Sequence, residues 1–385
     1  MNILFDYQAF ELQQFGGISH SYTELIYHIQ NCGCKCKLGI IESDNIYLKE
    51  NALVRNLRPL NYTHNLFFKR KKYIIGQRTI AKNILYILGH RNYAFDINKD
   101  YSIKLLKKQQ FDIFEPTFFD SYFLPFLKNK PFILEIHDMI PEIFPQYFPS
   151  DDFQIAQKKM LCPLAAHIHT PSLKTKEDLV SILNIDPYNI TVTPHGYTAL
   201  PQPSNERPIN NPYILFVGRR GGYKNFNKTL REFSIILQKE PDLHLICTGS
   251  EFTVDEQKDI HSLGLENNIH QMFAPEEMLS TLYHHAEVFV FPSAYEGFGL
   301  PILEAWSCGC PTFLNNASCF PEVAGNAAVY FEIDRTGDLA EKIIAFMHSS
   351  DEDKQALVNK QNKRLKIYSW ESTAQKLYQI YTSLV

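Results

Sequence analysis

Two glutamates, Glu296 and Glu304, bracket the seven residues Gly297-Phe298-Gly299-Leu300-Pro301-Ile302-Leu303, shortly after the apolar run Val288–Phe291. A strand that runs into a glycine loop and then a helix turns backbone N–H groups toward whatever lies beyond. The helix N-terminus adds about half a positive charge there. Pro301 suits the first helical position and Gly309 the stop. The surface is one for an anion, with Glu304 on the helix placed to accept from ribose hydroxyls and Glu296 in the loop to contact a sugar. A second segment, Gly218-Arg219-Arg220-Gly221-Gly222-Tyr223-Lys224-Asn225, follows the apolar run Tyr213–Val217. It combines what a diphosphate needs: flexible backbone, fork-shaped donors and a point charge. Arg220 reads as its solvated member, and a solvated basic turn is the plainer alternative for the whole segment.

Two weaker signals lie earlier. Gly16-Gly17 leads into a helical stretch and either approaches an anion or makes a tight turn. Glu135-Ile136-His137-Asp138 ends a strand-like run, where His137 either meets a sugar hydroxyl or assists proton transfer, or is an ordinary structural histidine.

These segments need elements to carry them. Short β-rich runs alternate with amphipathic helical stretches, the pattern of parallel βαβ units. Strands are expected at Ile3–Phe5, Lys37–Ile41, Phe111–Glu115, Phe132–Ile136, His167–Thr170 and Ile190–Thr193. A second set follows at Tyr213–Val217, Leu243–Thr248, Ile269–Phe273, Val288–Phe291, Thr312–Leu314 and Val329–Phe331. The Pro/Asn-rich stretch 201–212 separates them and suits neither helix nor central strand. The expected architecture is therefore α/β: two doubly wound Rossmann-like domains, 1–200 and 213–369, facing across a cleft, with a helix over 370–385 able to pack on either. Open sheets of this kind bind ligands beyond the carboxyl ends of their strands.

Composition narrows the function classes. The 385 residues are 45% hydrophobic with a formal net charge of -4, which excludes a disordered chain and disfavours a dedicated nucleic-acid binder. No apolar run approaches the roughly 20 residues of a membrane span, and the opening Met1-Asn2-Ile3-Leu4-Phe5-Asp6 reads as a strand, so a cytoplasmic protein is expected. Cys32, Cys34 and Cys36 would share one strand face and Cys308 and Cys310 flank a glycine; neither spacing is that of a zinc site. Asp151-Asp152 reads as helix N-terminal charge, and no Asp-x-Asp follows a strand to hold Mg2+. Leu66 to Ile75, with Arg78 and Lys82, mixes basic and apolar residues in a way that suits either an anionic membrane surface or a solvated helix.

Taken together, the Gly16-Gly17 loop, His137-Asp138, Thr170-Pro171-Ser172, Val192-Thr193-Pro194-His195-Gly196, Val217-Gly218-Arg219 with Lys224-Asn225, Glu296 to Glu304 and Pro321 to Ala328 resemble glycosyltransferase family 4 of the GT-B fold. The resemblance implies a retaining, metal-independent transfer of a hexose-type sugar from a UDP- or GDP-sugar to a saccharide or lipid-linked saccharide, as in bacterial surface-polysaccharide synthesis, with no cofactor. It implies that Arg219 and Lys224 bind the donor diphosphate and that Glu304 holds the ribose. Glu296 with the amides of Gly297, Phe298, Gly299 and Leu300 would face the sugar and phosphates, His137 would lie near the reacting carbon, Gly16 and Gly17 near the diphosphate and acceptor, and Gly218 would approach the donor. His195 departs from the family, which more often has Asn there. The competing classes are an epimerase or phosphorylase of the same fold, and a non-catalytic nucleotide-sugar-binding scaffold.

Overall fold

A computed structural model describes residues 1–50, 54, 57–59, 93–149 and 152–385. The basic and apolar stretch 66–82 and Asp151 lie outside these residues. Asp152 caps the Phe153–Leu161 helix, its side chain accepting from the Gln154 amide at 2.8 Å.

All twelve expected strands form, and every pairing among them is parallel. In the first half they are β1 (Asn2–Phe5), β2 (Lys35–Leu38), β3 (Ile113–Glu115), β4 (Ile133–Glu135), β5 (His167–Thr170) and β6 (Ile190–Val192). The ladders run β2-β1-β3 and β4-β5-β6, joined by a bridge between Phe114 and Phe132. In the second half β7 (Tyr213–Phe216), β8 (His244–Thr248), β9 (Ile269–Met272), β10 (Val288–Phe291), β11 (Thr312–Asn315) and β12 (Val329–Phe331) order as β12-β11-β10-β7-β8-β9. Strands such as Tyr-Ile-Leu-Phe and Val-Phe-Val-Phe are buried along their whole length, as expected of a sheet with helices on both faces.

One strand is displaced. β2 spans residues 35–38 rather than 37–41, because its partner β1 ends at Phe5, whose carbonyl already takes the Gly39 amide. Of the alternating cysteines only Cys36 is therefore on the strand, and all eight are free thiols.

Each half has a core on both sheet faces. The last helix, Trp370–Ser383, crosses back: Ala374, Leu377, Ile380 and Tyr381 join Ile3, Phe5 and Tyr22 in the first half's core. Residues 201–212 form no helix or strand and are held to the second half, where Ser204 exchanges hydrogen bonds with Thr281 and His285. In both sheets the strand order reverses beside a central strand, between β1 and β3 and between β7 and β10. The loops after β1, β7 and β10 start at these places and, with the loop after β4, line one gap.

Candidate active site between the two halves

Between the halves lies a cavity of about 740 Å³. Gly16, Gly17, His137, Gly218, Lys224, Glu296, Gly297, Phe298, Gly299, Leu300 and Glu304 all line it. Residues 288 positions apart in sequence thus meet in one gap.

The donor-side loop is set by backbone conformation. Gly299 has φ +98° and caps the Leu300–Ser307 helix, a conformation that residues with a Cβ rarely adopt. Helix formation starts at Leu300, one residue before Pro301, and Gly309 with φ +74° follows its end. Phe298 itself turns into the core against Tyr368, so this residue offers the cavity backbone more than ring. Gly297 approaches the opposite half closely: a Cβ there would sit 1.8 Å from the His137 carbonyl oxygen. A Cβ on Gly17 would lie 3.6 Å from Leu300, so the start of the Gly17–Asn31 helix faces the start of the Leu300 helix across the gap.

Charged groups occupy both ends. Lys224 and Glu296 form a mostly buried ion pair. Glu304 accepts from the Tyr283 hydroxyl at 3.2 Å; burial raises its carboxyl above the usual range, only partly offset by that bond and by His20. Above it Tyr47 reaches from the first half to Glu276 and the Gly16 backbone, with the His20 ring tilted against it at 4.7 Å.

The arginine pair divides differently from the sequence expectation. Arg220 is the buried member, 6% exposed, its guanidinium held by the Glu256 carboxylate and by the carbonyls of Thr248, Ser250 and Glu251. Its role is to tie the β7 loop to the β8 loop, so reading it as the solvated arginine is corrected. Arg219 is exposed and lines a neighbouring cavity of about 690 Å³ with Lys228 and Thr253, not the central one.

Sequence reasoning missed three contributors. Glu135, the last residue of β4, accepts from His195 Nε2 at 2.8 Å and lies 3.2 Å from His137 Nδ1 through the same oxygen. Burial would raise this carboxyl, but His137, His195 and His169 hold it well below the usual range. Among the described residues Glu135, His137 and His195 are the one trio whose ligand-type atoms lie within 4.8 Å of one another, the spacing at which a metal ion could be held. His20 and Tyr47 are the others; His20, one helical turn from Gly16, carried a faint signal, and Tyr47 none. The β4 loop is itself braced by Lys158, 1% exposed, which donates to Glu142 at 2.8 Å and to the Asp138 carbonyl at 3.1 Å.

The family described as glycosyl transferases group 1 matches residues 201–364, less than half of the chain. The O-antigen chain mannosyltransferase B of Escherichia coli is 25% identical over 69% of this chain and 73% of its own length. The O-antigen chain mannosyltransferase RfbU of Salmonella typhimurium is 25% identical over 55% of this chain and 59% of its own. Among solved structures, sucrose-phosphate synthase from Thermosynechococcus elongatus matches with a TM-score of 0.72 at 15% identity, covering 100% of this chain and 99% of that one. Anabaena HepE, solved in complex with UDP-glucose, matches with a TM-score of 0.69 at 16% identity over 100% of both chains. The fold is therefore GT-B, and the matches support a glycosyltransferase.

Proposed function

We propose that the chain is a retaining glycosyltransferase that moves a hexose-type sugar from a UDP- or GDP-sugar to a saccharide or lipid-linked saccharide in bacterial surface-polysaccharide synthesis. The observation that carries this reading is the convergence of eleven residues, chosen for anion, ribose and sugar contacts, on one cavity between two sheets. The O-antigen mannosyltransferases among the relatives support the substrate class.

In this scheme the donor diphosphate lies between Lys224 and the amides of Gly297 to Leu300, with Glu304 accepting from ribose hydroxyls and His137 against the sugar. The anomeric carbon–oxygen bond to the β-phosphate breaks, charge grows on that phosphate, and the sugar becomes oxocarbenium-like. Lys224 exchanges the Glu296 carboxylate for the phosphate, each charge-assisted contact being worth about 1.5–3 kcal/mol. The acceptor oxygen attacks from the departing group's face, and its proton passes to the leaving phosphate oxygen. Arg219, which lines the neighbouring cavity, takes no part in this scheme.

The cation in this scheme is a lysine and a helix N-terminus, so turnover should survive EDTA. The test is nucleotide release from a panel of UDP-, GDP- and dTDP-sugars with saccharide acceptors, followed by the anomeric configuration of the product. Loss of activity in EDTA, restored by Mg2+, would remove the metal-free scheme; an inverted product would remove retention. A carbohydrate product formed without an acceptor would favour the epimerase class, and tight nucleotide binding with no release the scaffold.

A further inference from the structure

We propose that Glu135 and His195 are positioning residues that fix which ring nitrogen His137 turns to the bound sugar. The inference rests on the glycosyltransferase reading for its effect on turnover, but the geometry behind it is independent of that reading.

Glu135 Oε1 is hydrogen-bonded to His195 Nε2 at 2.8 Å, and His137 Nδ1 stands beside the same oxygen at 3.2 Å. An ionised carboxylate can only accept, so each nitrogen turned to it carries its hydrogen. A neutral imidazole has one N–H. In its neutral form His137 is thereby set as the Nδ1–H tautomer, and its Nε2 lone pair is left to accept from a sugar hydroxyl in the cavity that the ring lines. Tyr22 flanks the arrangement, its ring meeting His137 edge-on at 5.8 Å.

His195 is what separates this arrangement from ordinary packing. Its ring lies between Phe298 at 5.3 Å and Trp370 at 5.5 Å, a place an apolar ring would fill. Its Nδ1 is buried with no hydrogen-bond partner. An orphaned buried nitrogen is a cost that phenylalanine would avoid, and the gain that offsets it here is the bond to Glu135. Since Phe298 belongs to the donor loop, the same ring also ties the setting of His137 to the seating of that loop.

The test uses the full chain. Long-range proton–nitrogen spectra of labelled histidines, with His137 assigned through His137→Ala, should show His137 as the Nδ1–H form and His195 as the Nε2–H form. Glu135→Gln should mix the His137 forms. His195→Phe keeps the ring contacts with Phe298 and Trp370 and covers the case in which Glu135→Gln does not fold. Each variant should lower kcat about 10-fold with donor KM changed less than two-fold, and neither should lower it further in a His137→Ala background. His137 found as the Nε2–H form, or equal losses in the His137→Ala background, would overturn the proposal. Absence of any transferase turnover would count against the function and leave the nitrogen spectra to decide positioning.

Discussion

At the scale of single residues the site separates groups that bind from groups that hold their neighbours. Lys224 is the one cation in the central cavity among the candidates, so Lys224→Ala is expected to cut kcat/KM by about 10²-fold or more, the scale of losing one preorganised charge-stabilising donor. Steady-state kinetics with the preferred donor checks this, and near-normal turnover would return the role to Arg219. Glu304 carries a pH signature. Burial comes first among the influences on it and raises its carboxyl, so the acceptor form of this side chain is lost on acidification sooner than for an ordinary glutamate. Donor KM should rise as pH falls, beginning above the usual carboxylate range, and that limb should be absent in Glu304→Gln. A wild-type profile flat down to pH 4.5 would contradict it.

At the scale of elements, function depends on how closely two loops approach. The 1.8 Å gap between a Cβ built on Gly297 and the His137 carbonyl leaves no room for a methyl group, and the obstacle is backbone, which cannot rotate away. Gly297→Ala should therefore hold the β10 loop off the β4 loop and lower kcat/KM by about 10²-fold, as expected for an ångström-scale misplacement, with Tm nearly unchanged. Retained activity in this variant would show that the loops need not touch. The glycine was legible in the sequence as part of a donor loop, because strand, glycines, proline and helix follow in a readable order. What it approaches was not, since His137 lies 160 positions away. The arginines show the same limit: Arg220 is buried by carbonyls and a carboxylate about 30 residues downstream, and nothing in Gly-Arg-Arg-Gly distinguishes the two. Glu135 sat in a run read correctly as a strand, but its function comes from His195, 60 positions on.

At the scale of the whole molecule, the alternation of runs was enough to predict two parallel sheets, while the placement of the final helix needed the apolar face that only the first half leaves open. Removing 370–385 would uncover the core around Ile3, Phe5 and Tyr22 and delete Tyr381, which donates to buried Glu115. That truncated chain should lose the cooperative unfolding of the first half, seen as a separate low-temperature transition or as aggregation in calorimetry, and an unchanged single transition would argue against the packing described. The return of that helix has a mechanical consequence. The chain passes between the halves twice, near Gly196 and near Trp370, and the two passages touch: a Cβ on Gly196 would lie 2.2 Å from the Trp370 nitrogen. Two tethers side by side act like a pair of pins in a door frame, permitting a swing about the line between them and resisting twist or slide. Admission of reactant and escape of product must then share a single arc of motion, and stiffening either pin should slow both by the same factor.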